Sequence, residues 1–236
     1  MAAAAVSPRA SFCTEAQVPQ WRTSSCSPLT SLRAVCHHLS ACGAHAPFAL
    51  CLATATLKTV TADALTQCWI ERHPLDCRRL LFFTVFGLLY LGCFQYCLYV
   101  WVFSRCFPHA VRFASTESWR ERLRDRLGLR DLLLQTLAGN FLHIPFLFFP
   151  AFYIVQEFVQ GPPRRSPGDV VAAALGRYRG NAREDLLSAW QIWIPGHVIF
   201  LTVPMWARLP ANHAISFFFV CVLSLMHGSK GAGDVE

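Results

Sequence analysis

From Leu80 to Ser104 the chain runs 25 residues without a charged side chain, between Arg79 and Arg105. Its polar content is little more than Thr84, Gln95 and Ser104. As a helix rising 1.5 Å per residue, the run would be about 37 Å long, enough to cross a hydrocarbon core of roughly 30 Å. Composition points the same way. Apolar residues make up 54% of the chain and charged residues 15%, against roughly 25% charged in an ordinary soluble domain. That excludes a disordered chain, a fibrous repeat and an ordinary soluble domain.

Further runs follow. Leu132 to Gln156 is a second span, interrupted by Gly139, Pro145 and Pro150, which membrane helices tolerate better than soluble ones. Leu186 to Ala207 is a third and Leu209 to Ser229 a fourth, separated by Arg208, with Pro204 and Pro210 marking a tight turn or kink. Pro47 to Ile70 is a weaker fifth because it carries Lys58 and Asp63. The expected fold is an all-α polytopic membrane helix bundle of four to five spans, with short amphipathic connecting helices. It would occupy residues 46–229, with a tail at 1–45 and a short one at 230–236.

Residues 1–45 are rich in Ala and Ser, carry Arg9, Arg22 and Arg33, and have Glu15 as their one acid. This is the composition of a mitochondrial or plastid transit segment; an ordinary disordered tail is the alternative. The net charge is +7 and all but two of the 21 basic residues are Arg. They fall between apolar runs rather than in a block interleaved with aromatics, which argues against nucleic acid as a partner. The bilayer is the expected partner, with a homo-oligomer left open. The eleven Cys residues form no CxxC pairs or His–Cys clusters and read as small packed thiols.

Ser118-Trp119-Arg120-Glu121 fits a capping box, with Trp119, Leu123 and Leu127 on one face and Gly128 closing the helix. Five Arg residues between Arg120 and Arg130 face the other way. Such a helix either lies flat on anionic lipid or is solvated. Asn181-Ala182-Arg183-Glu184 repeats the capping pattern ahead of the third span. If 47–70 spans, eight Arg face one side and ten the other, so the positive-inside rule sets no orientation.

The usual catalytic motifs are missing: no GxSxG, HExxH, Walker loop or GxGxxG occurs. The expectation is therefore no enzyme chemistry, no cofactor and no metal. His143 and His197 read as hydrogen-bond partners between helices, and Cys93 with Cys97 supplies too few ligands for a metal. The informative residues are ionisable ones within apolar runs. Asp63 and Gln67 lie one turn apart on one face, and Asp76 and Arg79 can pair three apart. These four either line an aqueous path or clamp helices together. Arg208 beside Trp206 reads as an interface anchor.

At these residues the sequence resembles the Mpv-seventeen/peroxisomal membrane protein family. Thr61-Ala62-Asp63-Ala64-Leu65-Thr66-Gln67 is similar to its Gly-Asp-Ala-x-x-Gln motif, with Ala62 where Gly is usual. Asp76-Cys77-Arg78-Arg79 is similar to its Asp-x-x-Arg, followed by Gly87, Gly92 and Tyr99. Cys93 and Leu98 replace the Pro and Trp of its Gly-Pro…Trp-Tyr motif. Phe141 to Tyr153, including Pro145, resembles its third-segment signature, with Gly139-Asn140 in place of Asp-Gln. Trp190, Trp193, Ile194 and Pro195, then Val203-Pro204, Arg208 and Leu223-Ser224, follow its C-terminal order without the usual Asn. The resemblance covers about residues 47 to 228. It implies a non-enzymatic protein of the mitochondrial inner membrane, or of a peroxisomal or plastid membrane, that passes small solutes through a channel and serves organelle homeostasis. A scaffold organising lipid or partner proteins is the other reading.

Overall fold

The structure is a computed structural model. It describes residues 47–228 except 117, 164, 203 and 204; the expected targeting tail and the tail at 230–236 lie outside the described residues. By contacts the chain divides into Met1–Leu50 and Cys51–Glu236. Of the first unit, only the opening of one helix is described.

The described residues are almost wholly helical, with no strand among them. Helix α1 is Pro47–Leu65, continued by a π turn at Thr66–Ile70. Helix α2 runs Cys77–Cys106 and α5 runs Arg126–Gln160, each a mixture of α and π segments. Short helices α3 (Pro108–Ser115) and α4 (Trp119–Arg124) lie between them, and α6 (Pro167–Thr202) and α7 (Met205–His227) complete the chain.

Among the described residues three helices are long and apolar enough to cross a membrane: Phe48–Ile70, Cys77–Cys106 and Arg126–Gln160. The weak candidate at 47–70 is thus one of the three. The expected third span, Leu186 to Ala207, begins inside α6 and runs past its end at Thr202; the part of α6 ahead of it carries Asp169, Arg177, Arg179, Arg183, Glu184 and Asp185. The expected fourth falls in α7, where Ala211–His227 is apolar but shorter. Pro210 lies within α7, which leaves the kink and removes the turn of the two expectations at that residue; Pro204 is outside the described residues. Large apolar side chains face outward along the long helices, Trp69, Phe146 and Phe158 among them. A water-soluble fold would bury such residues.

The core is aromatic. Phe82 and Phe86 of α2 meet Phe152 of α5 edge to face at 5.0 and 5.2 Å, and Phe86 meets Phe148 at 5.5 Å. Each such contact contributes about 0.5–1.5 kcal/mol beyond area burial. Phe219, Val220 and Leu223 of α7 and Ala174 and Ala189 of α6 close around this stack.

Two expectations about helix ends change. Ser118 is the N-cap of α4, but its side chain makes no cap hydrogen bond. The amphipathic helix does not run on to Gly128: it stops at Asp125, whose carboxylate accepts from the Gly128 amide at 3.0 Å and starts α5. Gly128 is instead a close-packing point, since a methyl there would lie 2.8 Å from Phe113 Cβ. Asn181 starts nothing, because it lies mid-helix in α6. The actual start is Ser166-Pro167-Gly168-Asp169: the Asp169 amide donates to Ser166 Oγ at 3.2 Å, the Ser166 hydroxyl donates to Asp169 Oδ2 at 2.8 Å, and Pro167 holds the first helical position.

The π segments explain three residues singled out above. Gly87 and Gly92 are five apart, which an α-helix would place on different faces. The π segment Gly87–Phe94, bonded i to i+5, turns both toward α1. A methyl on Gly87 would lie 3.1 Å from Thr59 Cβ, and one on Gly92 would lie 2.7 Å from Leu52 Cδ1. Small residues let the two backbones approach. In the π segment Gly139–Phe148, the amide of residue 145 would donate to the Asn140 carbonyl, and Pro145 has no amide. Trp190 of α6 takes that place, donating from Nε1 to Asn140 O at 3.0 Å. Pro150 likewise frees the Pro145 carbonyl, which accepts from the Tyr178 hydroxyl at 2.8 Å. Burial and then the Asp185 carboxylate raise the Tyr178 pKa above its ordinary value, so this hydroxyl stays a donor. Trp190→Phe keeps an aromatic ring but orphans the carbonyl, and should lower unfolding free energy by about 1–2 kcal/mol. Thermal unfolding in detergent measures this; an unchanged midpoint would contradict the assignment.

Candidate functional site

At one end of the bundle α1, α2 and α7 share a buried ionic cluster. Asp63 lies within α1 and is completely buried. Its Oδ1 accepts from Arg79 Nε at 2.8 Å and from the Ser224 hydroxyl at 2.7 Å. Its Oδ2 accepts from Gln67 Nε2 at 2.8 Å. The expected face shared by Asp63 and Gln67 is therefore a direct hydrogen bond. Gln67 Oε1 in turn accepts the Asp76 amide at 2.6 Å, joining α1 to the start of α2.

Arg79 is buried and uses its whole guanidinium. Nη1 and Nη2 grip Glu71 at 2.7 and 3.1 Å, and Nη2 also donates to the Ser224 carbonyl and hydroxyl at 2.9 and 2.6 Å. A planar fork suits several simultaneous acceptors in a way an ammonium does not. Glycine is required at 228, because a methyl there would lie 1.9 Å from Arg79 Cζ.

The expected side-chain pair between Asp76 and Arg79 does not form. Asp76 is exposed and caps α2, accepting from the amides of Arg78 and Arg79 at 2.8 and 3.3 Å. Capping fixes the first turn, and so aims Arg79 at Asp63. Glu71 occupies the role expected of Asp76. The short link between the helices brings it there: Arg72 takes φ 56° and the His73 amide donates to Gln67 O at 3.0 Å, reversing the chain.

A second buried cluster adjoins the first at the end of α7. Asp185 of α6 accepts from the Tyr153 hydroxyl at 2.7 Å and from His227 Nε2 at 2.8 Å, with all three residues essentially inaccessible. Gln156 Nε2 donates to the His227 carbonyl at 3.2 Å. Nearby, Glu157 is paired with Arg165 at 2.6 Å and Arg177 at 3.1 Å. Arg78 donates to the carbonyls of Val159 and Gly161 at 3.1 and 2.8 Å, satisfying the end of α5. Sequence reasoning missed Glu71, Tyr153, Asp185, Glu157 and His227 as site residues.

The other expected residues lie apart from these clusters. Tyr99 is on the outer half of α2, its ring 4.9 Å from Phe103. Trp193 packs on Phe219 at 5.7 Å. Pro195 sits within α6 beside a cavity of about 350 Å³ whose walls include Gly196, Ile215 and Phe218. Arg208 lies in α7, with its side chain outside the described residues. Of the two histidines, His143 Nε2 is 3.1 Å from the Tyr90 hydroxyl, and His197 Nδ1 donates to Trp193 O at 2.5 Å. Among the described residues no three His, Cys, Asp or Glu side chains gather as metal ligands.

Between α1 and α7 polar groups recur along the seam. Lys58 Nζ donates to Ser216 Oγ at 2.6 Å, Thr66 is buried, and Asp63 meets Ser224, while the buried Thr59 faces Gly87 of α2. Thr59 and Thr66 turn their hydroxyls back to the carbonyls of Ala55 and Ala62 at 2.7 and 2.8 Å. This seam, ending at the ionic cluster, is the candidate site. No family model, no curated protein and no solved structure matches the chain.

Proposed function

We propose that the protein crosses an organellar membrane, the mitochondrial inner membrane in the first instance, and carries a path for small solutes along the seam between α1 and α7. On this reading the conformation described is the closed one. The observation that carries the reading is the buried Asp63–Arg79–Glu71–Ser224 cluster at one end of the seam. Asp63 lies seven residues inside the end of Phe48–Ile70, where an unpaired carboxylate would cost up to about 2.5–3.5 kcal/mol on insertion scales, and three helices contribute to the cluster that holds it. An ion pair joining three helices can break and re-form, which suits a gate. The resemblance to the Mpv-seventeen/peroxisomal membrane protein family points the same way, since its motif positions include Asp63, Gln67 and Arg79.

Full-length protein reconstituted in planar bilayers is expected to conduct. Silent bilayers, with the protein shown to be helical and monodisperse before reconstitution, would end this reading.

A second reading, a non-conducting scaffold on lipid, is favoured by one observation. Leu123 and Leu127 are exposed beside the exposed Arg120, Arg124 and Arg126, a surface suited to an anionic leaflet. Silent bilayers together with loss of binding to anionic vesicles on Leu123→Ser/Leu127→Ser would support it.

A further inference from the structure

Three buried or half-buried carboxylates near the seam have arginines beside them: Asp63 and Glu71 have Arg79, and Glu157 has Arg165 and Arg177. Lys58 has no such counter-charge. Its ammonium is bonded to the neutral Ser216 hydroxyl at 2.6 Å, and no carboxylate among the described residues pairs with it. An ammonium has three donors, and this hydroxyl takes one of them.

Its place in the helix makes this costly. In Phe48–Ile70, Lys58 follows Phe48 by ten residues and precedes Ile70 by twelve, so it is about 15 Å and 18 Å from the two ends. A lysine stem of roughly 6 Å cannot carry its charge to either interface from there. The side chain turns instead into the seam between α1 and α7. It stays half-buried rather than sealed, and His213 lies one turn before Ser216 on α7. Asp63 is five residues further along α1 and is already saturated by Arg79, Ser224 and Gln67.

Resting on the path proposed above, we infer that the Lys58 ammonium, held in place by Ser216, is a mid-membrane anion site, and that the path selects small anions over cations. An anion passing the seam supplies the counter-charge the helix bundle withholds. Ser216 holds the ammonium in the path and can itself donate to the passing ion.

The test is the reversal potential of the reconstituted full-length protein in a KCl gradient. Wild type is expected to reverse toward the chloride equilibrium potential. Lys58→Met should cut the chloride-to-potassium permeability ratio about fivefold, the effect of one unit charge at close range even in a water-like dielectric, and Lys58→Arg should largely preserve it. Ser216→Asp neutralises the ammonium without removing it and should lower the ratio in the same way, which covers the case where Lys58→Met folds poorly. Currents reversing toward potassium in wild type, or a ratio unmoved by both neutralising changes, would overturn the anion site and leave the path standing. No current at all would remove the path and the site together.

Discussion

Asp63→Ala is expected to lower the unfolding free energy by about 3–5 kcal/mol, the usual result of removing one partner from a buried ion pair. Three donors would lose their acceptor at once: Arg79 Nε, the Ser224 hydroxyl and Gln67 Nε2. Arg79 would keep Glu71, but that carboxylate is nearer the surface and leaves the inner edge of the guanidinium bare. Asp63→Asn keeps the shape and one acceptor and should cost less. The measurement is chemical or thermal unfolding in detergent, followed by helical signal. A loss below about 1 kcal/mol for Asp63→Ala would mean that water reaches the cluster and that the helices are not fastened there.

Asp185→Ala is expected to cost about 3 kcal/mol or more for a different reason. Its carboxylate is the shared acceptor of Tyr153 and His227, both within the core. Each buried donor left unpaired costs about 1–3 kcal/mol. Asp185→Asn can still accept from one of them and should lose roughly half as much. The loss should not grow when Tyr153→Phe is added, since that change removes the donor that Asp185→Ala strands. Fully additive losses would show that the two side chains do not interact. The same unfolding assay decides between the two.

How much of this was legible beforehand follows the range of the interactions. The span over Leu80–Ser104 is written in the missing charges, and α2 covers it. Asp63 and Gln67 stood out because an acid and an amide one turn apart in an apolar helix need partners. Arg79 stands out too, and local spacing pairs it with Asp76, three residues away. Asp76 was instead drawn off by the open amides of its own helix. Glu71 reaches Arg79 only because Arg72 adopts a left-handed conformation, which an arginine does not advertise. Ser224 bonds to a residue 145 positions away, and nothing local marks it. Asp185 and His227 had a signal that went unused: an acid after a run of charged residues, and a histidine at the end of an apolar helix, each needing a partner.

Helix starts failed for a simpler reason. The pattern of a small polar residue followed by an acid three positions later occurs at Ser118, Ser166 and Asn181. At Ser166 alone does a proline at the first helical position accompany it. At Asn181 the upstream residues, including Ala172, Ala173 and Ala174, favour helix already, so the pattern is overrun. The π segments had no sequence signal until read as five-residue spacings, Gly87 to Gly92 and Pro145 to Pro150, and both pairs are satisfied by a facing helix.

The most direct measurement of the proposed gate is the current carried by Arg79→Gln against wild type in the same bilayers, with equal amounts of folded protein reconstituted. Loss of the guanidinium unties Asp63, Glu71 and the Ser224 carbonyl from one another and leaves the direct Ser224–Asp63 hydrogen bond across the seam, which on the proposed reading weakens the closed state. Every 1.4 kcal/mol withdrawn from the closed state shifts the open fraction about tenfold, so at least about a tenfold rise in current is expected. A variant as helical as wild type whose current is unchanged or smaller would contradict the ionic cluster as the closure.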